Sequence, residues 1–170
     1  MPSDPESEVV TIRPATIDDA EATAAIYNVE VTGSDVTFDL VPRSVEDQRA
    51  WLGERSGALE VIVAEVEGRI AGFASLSTYR ERAAYRGTVE DSVYVATDAR
   101  GRGVGRVLLH GIVDVATARG FHTVMARIVG GHDASIALHR GAGFDHVGVE
   151  REVGRKFGRW LDVVVMQKLL

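Results

Sequence analysis

The sequence contains no cysteine among its 170 residues. This absence excludes a disulfide framework, a metal site built from thiolates and a cysteine nucleophile. The sequence also lacks any apolar run that approaches the roughly 18 residues of a membrane-spanning helix. We therefore expect a protein of the reducing cytoplasm that has no membrane partner and requires no metal.

An excess of positive charge is missing as well, because the formal net charge is −6. A general nucleic-acid surface requires a basic face, so we expect no nucleic-acid partner. Residues 1–8 are polar and acidic and lack the basic start and apolar core of a signal peptide. We expect a mobile tail over residues 1–8 and a single domain over residues 9–170, a length typical of one domain.

Hydrophobic periodicity predicts alternating strands and helices. The predicted strands span residues 9–13, 61–66, 70–77, 88–95 and 123–128, with a closing pair of strands after Gly143. The predicted helices span residues 19–29, 45–55, 104–119 and 134–142, the last capped by Asp133. The buried face of the first helix is expected at Ala22, Ala25, Ile26 and Val29. This order predicts a mixed α/β sheet rather than a repeating parallel one.

A glycine-rich loop lies between a predicted strand and an amphipathic helix. Its residues are Arg100, Gly101, Arg102, Gly103, Val104, Gly105 and Arg106. Glycines let the backbone approach a ligand, and the amides and dipole of a helix start favour a phosphate. The alternative is a tight turn with solvated arginines. A dinucleotide fingerprint would need glycine at Arg106, and a nucleoside-triphosphate loop would need Gly-Lys-Ser/Thr, so another phosphate-bearing cofactor is indicated.

Two motifs give this sequence a family resemblance. The Arg-x-x-Gly-x-Gly loop that follows Val93-Tyr94-Val95, and the segment 133–144 with its Gly-Phe ending, resemble the GCN5-related N-acetyltransferases. Segments 37–38, 85–95 and 156–162 narrow the resemblance to phosphinothricin and methionine sulfoximine (sulfone) acetyltransferases. The similarity covers residues 11–169. It implies an α+β fold in which about seven mostly antiparallel strands are flanked by about four helices.

The resemblance implies acetyl-CoA as the co-substrate. Backbone groups of Val93, Tyr94 and Val95 would hold the pantetheine arm and polarise the thioester carbonyl. The amides of residues 101–106 would hold the pyrophosphate, with Arg100 and Ser135 nearby. Many relatives carry asparagine where this chain has His132, which can still donate a hydrogen bond to the cofactor.

Two residues are candidates for proton transfer. Glu90 is a carboxylate in a β-branched strand, where it could take a proton from the attacking amine, or it could simply form an ion pair there. His139 is a lone helical histidine, which is more often a packed residue than a catalyst. By resemblance it stands where many relatives carry the tyrosine that protonates the departing thiolate.

The stretch 79–85 combines arginines with tyrosines, a pattern that suits a small anionic ligand. The resemblance assigns Arg80 and Arg82 to the substrate, beside Tyr79, Tyr85 and Phe38. The alternative interpretation is a charged surface loop.

Three functions remain open from the sequence. The leading one is N-acetylation of a small amino-acid-like substrate such as phosphinothricin or methionine sulfoximine. The second is acetylation of protein N-termini or of another metabolite amine, and the third is a non-catalytic acyl-CoA sensor. The resemblance also implies a homodimer, with the final strands as its interface.

Overall fold

The computed structural model describes residues 9–55 and 57–170. The strands are β1 (Thr11–Pro14), β2 (Val61–Val66), β3 (Arg69–Thr78), β4 (Thr88–Val95), β5 (Thr123–Val129), β6 (Asp145–Lys156) and β7 (Arg159–Leu169). The helices are α1 (Ala20–Gly33), α2 (Val45–Glu54), α3 (Val104–Ala118) and α4 (Asp133–Gly141). The tail expected at residues 1–8 lies outside the described residues.

The strands form one sheet in the order β1-β2-β3-β4-β5-β7-β6. Every neighbouring pair is antiparallel except β4 and β5, which run parallel. The mixed, mostly antiparallel sheet of seven strands is therefore confirmed. Helices α3 and α4 pack on one face of the sheet with the larger buried cluster, and α1 and α2 cover the other face.

The prediction for α1 was wrong in its end and in its buried face. The helix continues to Gly33 rather than ending at residue 29, and Ala25 and Val29 are exposed. The face turned to the core carries Ala20, Thr23, Ala24, Tyr27, Glu30 and Val31, together with Ile26, whose burial was predicted correctly. Sequence periodicity counts glutamate as exposed, whereas Glu30 is buried here because its carboxylate pairs with Arg100.

Smaller boundaries also differ from the predictions. Strand β1 covers residues 11–14 rather than 9–13, and it includes Pro14 because an edge strand tolerates a residue without an N–H group. Asp133 is the first residue of α4, and His132 occupies the N-cap position expected for Asp133. Helix α2 begins with a capping box, in which the Ser44 hydroxyl accepts from the backbone N–H of Asp47 at 3.0 Å.

The parallel pairing of β4 with β5 is short. It joins residues Thr88, Val89 and Glu90 to residues Thr123, Val124 and Met125. Beyond these pairs the two strands make no further ladder contacts among the described residues, and they separate. The sheet is thereby split at its centre, with free strand edges on both sides of the opening.

Candidate active site

A cavity of about 600 Å³ fills the opening between β4 and β5. Its walls come from residues 91–95 of β4, residues 126–129 of β5, the start of α3 and the first turns of α4. A cavity that is bordered by two separated strand edges offers backbone donors and acceptors along its length. This is the geometry required to hold an extended, amide-bearing ligand.

The glycine loop closes one end of this cavity. Gly101 and Gly103 have φ values of 75° and 83°, a left-handed conformation that glycine adopts without strain. Along α3, Val107 donates to the carbonyl of Gly103 at 3.1 Å. The amides of the first turn, which have no partner inside a helix, are those of Val104, Gly105 and Arg106. These N–H groups and the helix dipole make this end an anion site.

The three arginines of the loop occupy different surroundings. Arg106 borders the cavity at the start of α3. Arg100 also borders it, where its guanidinium pairs with Glu30 and its Nε donates to the Val95 carbonyl at 3.3 Å. Arg102 is exposed and borders a separate, small hollow beside the β2–β3 turn. Arg106 and Arg100 are therefore the loop cations that face the cavity.

Alternate residues of β4 turn their backbone N–H and C=O groups towards the cavity. The N–H of Ala96 donates to the carbonyl of Ala71 at 2.8 Å, just beyond the β3–β4 ladder. Because backbone groups alternate sides along an antiparallel strand, those of Val93 and Val95 point away from β3 and towards the opening. Tyr94 lies between them and also borders the cavity.

Glu90 stands where β4 and β5 part, on the face of the sheet that carries α1 and α2. Burial raises the pKa of Glu90, as do the charges of Asp91 and Glu150, whereas Arg127 and Arg80 act in the opposite direction. Arg127 is itself paired with Glu150 of β6. A carboxylate whose pKa is raised is a stronger base, which suits it to accept a proton from an amine.

His139 is buried on the other face, where it contacts the next residue of β4. Its Nε2 lies 3.0 Å from Oδ2 of Asp91, and its Nδ1 lies 2.8 Å from the carbonyl oxygen of Ser135. Burial alone would lower the pKa of His139, but the hydrogen bond and charge of Asp91 outweigh it and raise the pKa. The ring of Phe144 meets the imidazole edge-on at 5.0 Å.

The residues predicted for the substrate form an aromatic and cationic group. The rings of Tyr79 and Tyr85 meet at 5.6 Å, and the Arg80 guanidinium lies 5.0 Å from the Tyr79 ring centre and 5.9 Å from that of Tyr85. Arg82 is exposed at the start of the same turn. Arg80 is close enough to Glu90 for its charge to act on that carboxylate.

Phe38 lies in the α1–α2 connection, which β6 holds in place. A Cβ at Gly154 would come within 2.3 Å of the Phe38 ring, so the ring lies directly against the backbone of β6. The buried Nζ of Lys156 donates to the carbonyl of Thr37 at 2.8 Å. These contacts fix the segment that carries Phe38 against the closing hairpin.

His132 and Ser135 both border the cavity at the start of α4. The Nε2 of His132 lies 3.7 Å from Oδ1 of Asp35, in the α1–α2 connection. Ser135 also supplies the carbonyl that holds His139. His132 therefore lies where the start of α4 meets the cavity.

Sequence reasoning missed four charged residues of this region, which are Glu30, Asp91, Arg127 and Glu150. A signal was present for Asp91, because the strand period places it on the apolar face with Val89 and Val93, where a carboxylate requires a partner. The other three depend on long-range pairing.

In the described parts of the chain, no helix is long and apolar enough to cross a membrane. Nor do His, Asp and Glu side chains there form a group suited to a metal ion.

The sequence and the fold of this chain are similar to those of known acetyltransferases. The family model described as acetyltransferase (GNAT) domain matches residues 12–165. A phosphinothricin N-acetyltransferase of Alcaligenes faecalis is 41% identical over 94% of this chain and 82% of its own. An L-methionine sulfoximine/L-methionine sulfone acetyltransferase of Pseudomonas paraeruginosa is 39% identical over 92% of each chain. A solved GNAT phosphinothricin acetyltransferase from Sinorhizobium meliloti, in complex with acetyl-CoA, has a TM-score of 0.91 at 39% identity, covering 95% of this chain and 88% of its own.

The split sheet, the anion site and the free edge of β4 form a channel suited to a ligand with a phosphate group and an extended, amide-bearing arm. Together with the comparisons, this geometry identifies the chain as an acyltransferase. The chain belongs to the GNAT acetyltransferase family and is an acetyl-CoA-dependent N-acetyltransferase. The residues present fit acetyl-CoA, since the positive-φ glycines leave open space at the α3 start. Backbone groups of β4 line the rest of the channel.

Proposed function

We propose that this enzyme acetylates the amine of a small, anionic amino-acid-like substrate of the phosphinothricin or methionine sulfoximine (sulfone) type. The observation that carries the proposal is the position of Glu90, half-buried at the point where β4 and β5 separate, with Arg80 and Arg127 near enough to act on its charge. Glu90 can receive an ammonium proton because burial raises its pKa, and the two nearby cations can attract the substrate's own anionic group.

Glu90 takes one proton from the substrate amine, directly or through a water molecule. The neutral amine then forms the N–C bond with the acetyl group as the C–S bond breaks. The nitrogen releases its second proton to solvent as the amide forms, and the released sulfur takes a proton from His139. The backbone N–H groups along the free edge of β4, at Val93 and Val95, are the donors available to the carbonyl oxygen that gains charge. Acetyl-CoA supplies the activated acetyl group.

Arg80 and Arg82 are the proposed contacts of the substrate's anionic group, with Tyr79, Tyr85 and Phe38 as walls. Arg80→Ala and Arg82→Ala should each raise KM for an anionic amino acid by about tenfold, because a charge-assisted contact contributes roughly 1.5 kcal/mol or more. Arg86→Ala is the matched control, since Arg86 is exposed in the same segment. An unchanged KM for both variants would contradict the assignment.

The substrate class is tested by thiol release from acetyl-CoA with a panel of amines. Phosphinothricin and methionine sulfoximine should give release, with kcat/KM far above that for dipeptides and polyamines. Release confined to peptides that mimic protein N-termini would support the second function. Thermal stabilisation by acetyl-CoA without release on any amine would support a sensor.

We also propose a cytoplasmic homodimer that uses the closing hairpin. Strand β6 is an edge of the sheet, and the hairpin exposes the apolar side chains of Val147, Val149, Val153, Phe157 and Trp160. An exposed edge with apolar side chains is a surface that a second copy can cover. Light scattering should give twice the chain mass for the wild type and the monomer mass for Val149→Asp. A monomeric wild type would contradict the proposal.

A further inference from the structure

The buried pair Asp91–His139 holds its protons in a defined arrangement. Both ring nitrogens of His139 face oxygen atoms, namely the Ser135 carbonyl at Nδ1 and the Asp91 carboxylate at Nε2. A carbonyl oxygen can only accept, so Nδ1 carries a hydrogen. The remaining proton lies between Nε2 and Oδ2, and it is either on the ring or on the carboxyl group.

The short distance between His139 and Asp91 favours one of these two forms. Oδ1 is buried and has no hydrogen-bond partner among the described residues, and both Asp91 and His139 border the cavity. An ionised carboxylate is stabilised by the charge of an imidazolium 3.0 Å away. A neutral carboxyl group would lose that attraction and leave the same oxygen unpaired. The imidazolium–carboxylate form is therefore the better arrangement.

We infer that Asp91 is a positioning residue that holds His139 as an imidazolium, so that His139 serves as the acid at the departing sulfur and not as the base for the amine. The inference rests on the proposed function and assigns the direction of proton transfer at one of its residues. A ring that is protonated on both nitrogens has no lone pair for an amine proton. The proton that it gives is the one on Nε2, which the ring shares with Oδ2 of Asp91 until the transfer.

The proton balance of this step is simple. The N–H bond at Nε2 breaks, an S–H bond forms on the sulfur freed when the C–S bond breaks, and His139 becomes neutral beside the ionised Asp91. Solvent then restores the proton. An ordinary thiol has a pKa of about 8.5 and histidine one of about 6.5, so the transfer to a thiolate is favourable. Asp91 raises the pKa of His139 against the effect of burial, which brings donor and acceptor closer to a match.

The surroundings of the ring leave Asp91 as the group that sets its charge. The imidazole meets Asp91 from β4, the carbonyl of Ser135 from the preceding turn of α4, and the Phe144 ring that follows α4. Of these three, Asp91 alone is charged. Glu90 is adjacent in the chain but points to the opposite face of the sheet, because side chains alternate along a strand.

The test is ¹⁵N NMR of the histidine side chains in the full-length protein without ligand. His139→Gln identifies the signals of His139. In the wild type at pH 7, both ring nitrogens should show the shifts of protonated nitrogen, and in Asp91→Asn one of them should show the shift of an unprotonated nitrogen. Asp114→Asn, an exposed change on α3, is the matched control and should leave the wild-type pattern.

An unprotonated ring nitrogen in the wild type at pH 7 would overturn the inference, whatever the stability of the variants. An unchanged His139 pattern in a folded Asp91→Asn would overturn it too. In thiol release, Asp91→Asn should lower kcat by about tenfold or more and leave KM for acetyl-CoA within about twofold. The NMR result is independent of turnover, so absence of release on every amine would contradict the proposed function alone.

Discussion

Two neighbouring carboxylates of β4 lie in opposite surroundings. Glu90 faces the α1–α2 side, half-buried near Arg80, Arg127 and Glu150, and the charges of these residues act on it in both directions. Asp91 faces the α3–α4 side, almost fully buried, and contacts His139. The alternation of a strand thus places the proposed base, Glu90, and the proposed positioning residue, Asp91, on opposite faces of the sheet.

The largest expected effect on activity follows from removing the carboxylate of Glu90, the proposed base. Glu90→Gln should lower kcat/KM by about 10²- to 10³-fold, because the amide cannot accept the amine proton. The melting temperature should not fall, since burial disfavours the ionised form of Glu90 in the folded protein. Steady-state kinetics and a melting curve check both points. Glu81→Gln, exposed in the nearby loop, is the control; equal activity in the two variants would contradict the role of Glu90.

An intermediate effect is expected at the anion site before α3, because the reaction requires bound acetyl-CoA. Gly103→Ala should weaken acetyl-CoA binding about tenfold, because a side chain at φ 83° strains the loop that precedes α3. Isothermal titration with acetyl-CoA measures the change. Gly68→Ala, in the β2–β3 turn with φ 74°, carries the same backbone strain away from the cavity and should bind normally. Equal losses in both variants would show that strain alone is responsible.

The smallest expected effects concern the charges around Glu90. Arg127 lowers the pKa of Glu90 and Glu150 raises it. Arg127→Gln should therefore move the acidic limb of the kcat/KM profile to higher pH, and Glu150→Gln should move it to lower pH. Arg127 and Glu150 form an ion pair, so each variant leaves the other side chain unpaired. The charge of that unpaired side chain then acts more strongly on Glu90, which enlarges both pH shifts. Shifts in the same direction would contradict the assignment of that limb to Glu90.

The sequence was sufficient to predict those structural features that follow from a repeating pattern or from neighbouring residues. The bounds of β2 and β4 were predicted to the residue, because hydrophobic alternation is a local pattern. The glycine loop was placed before α3 for the same reason, and its expected conformation appears in the positive φ of Gly101 and Gly103.

Features that depend on distant parts of the chain could not be predicted. Arg100 was assigned to the cofactor, and its pairing with Glu30 joins residues 70 positions apart. The same pairing buries the end of α1, which periodicity placed too early. The contact between Asp91 and His139 joins positions 48 apart, and only the packing of α4 on the sheet brings these residues together. The roles of Glu90 and His139 stay predictions until they are measured.

The central claim is that Glu90 is the base and that Asp91 keeps His139 protonated. It is tested most directly by the pH dependence of kcat/KM for Glu90→Gln and Asp91→Asn, measured side by side with the wild type. Glu90→Gln should lose the acidic limb and keep the basic limb. Asp91→Asn should keep the acidic limb, and its basic limb should move to lower pH because the carboxylate that raises the pKa of His139 is gone. An Asp91→Asn profile that loses its acidic limb, or keeps its basic limb in place, would contradict the account.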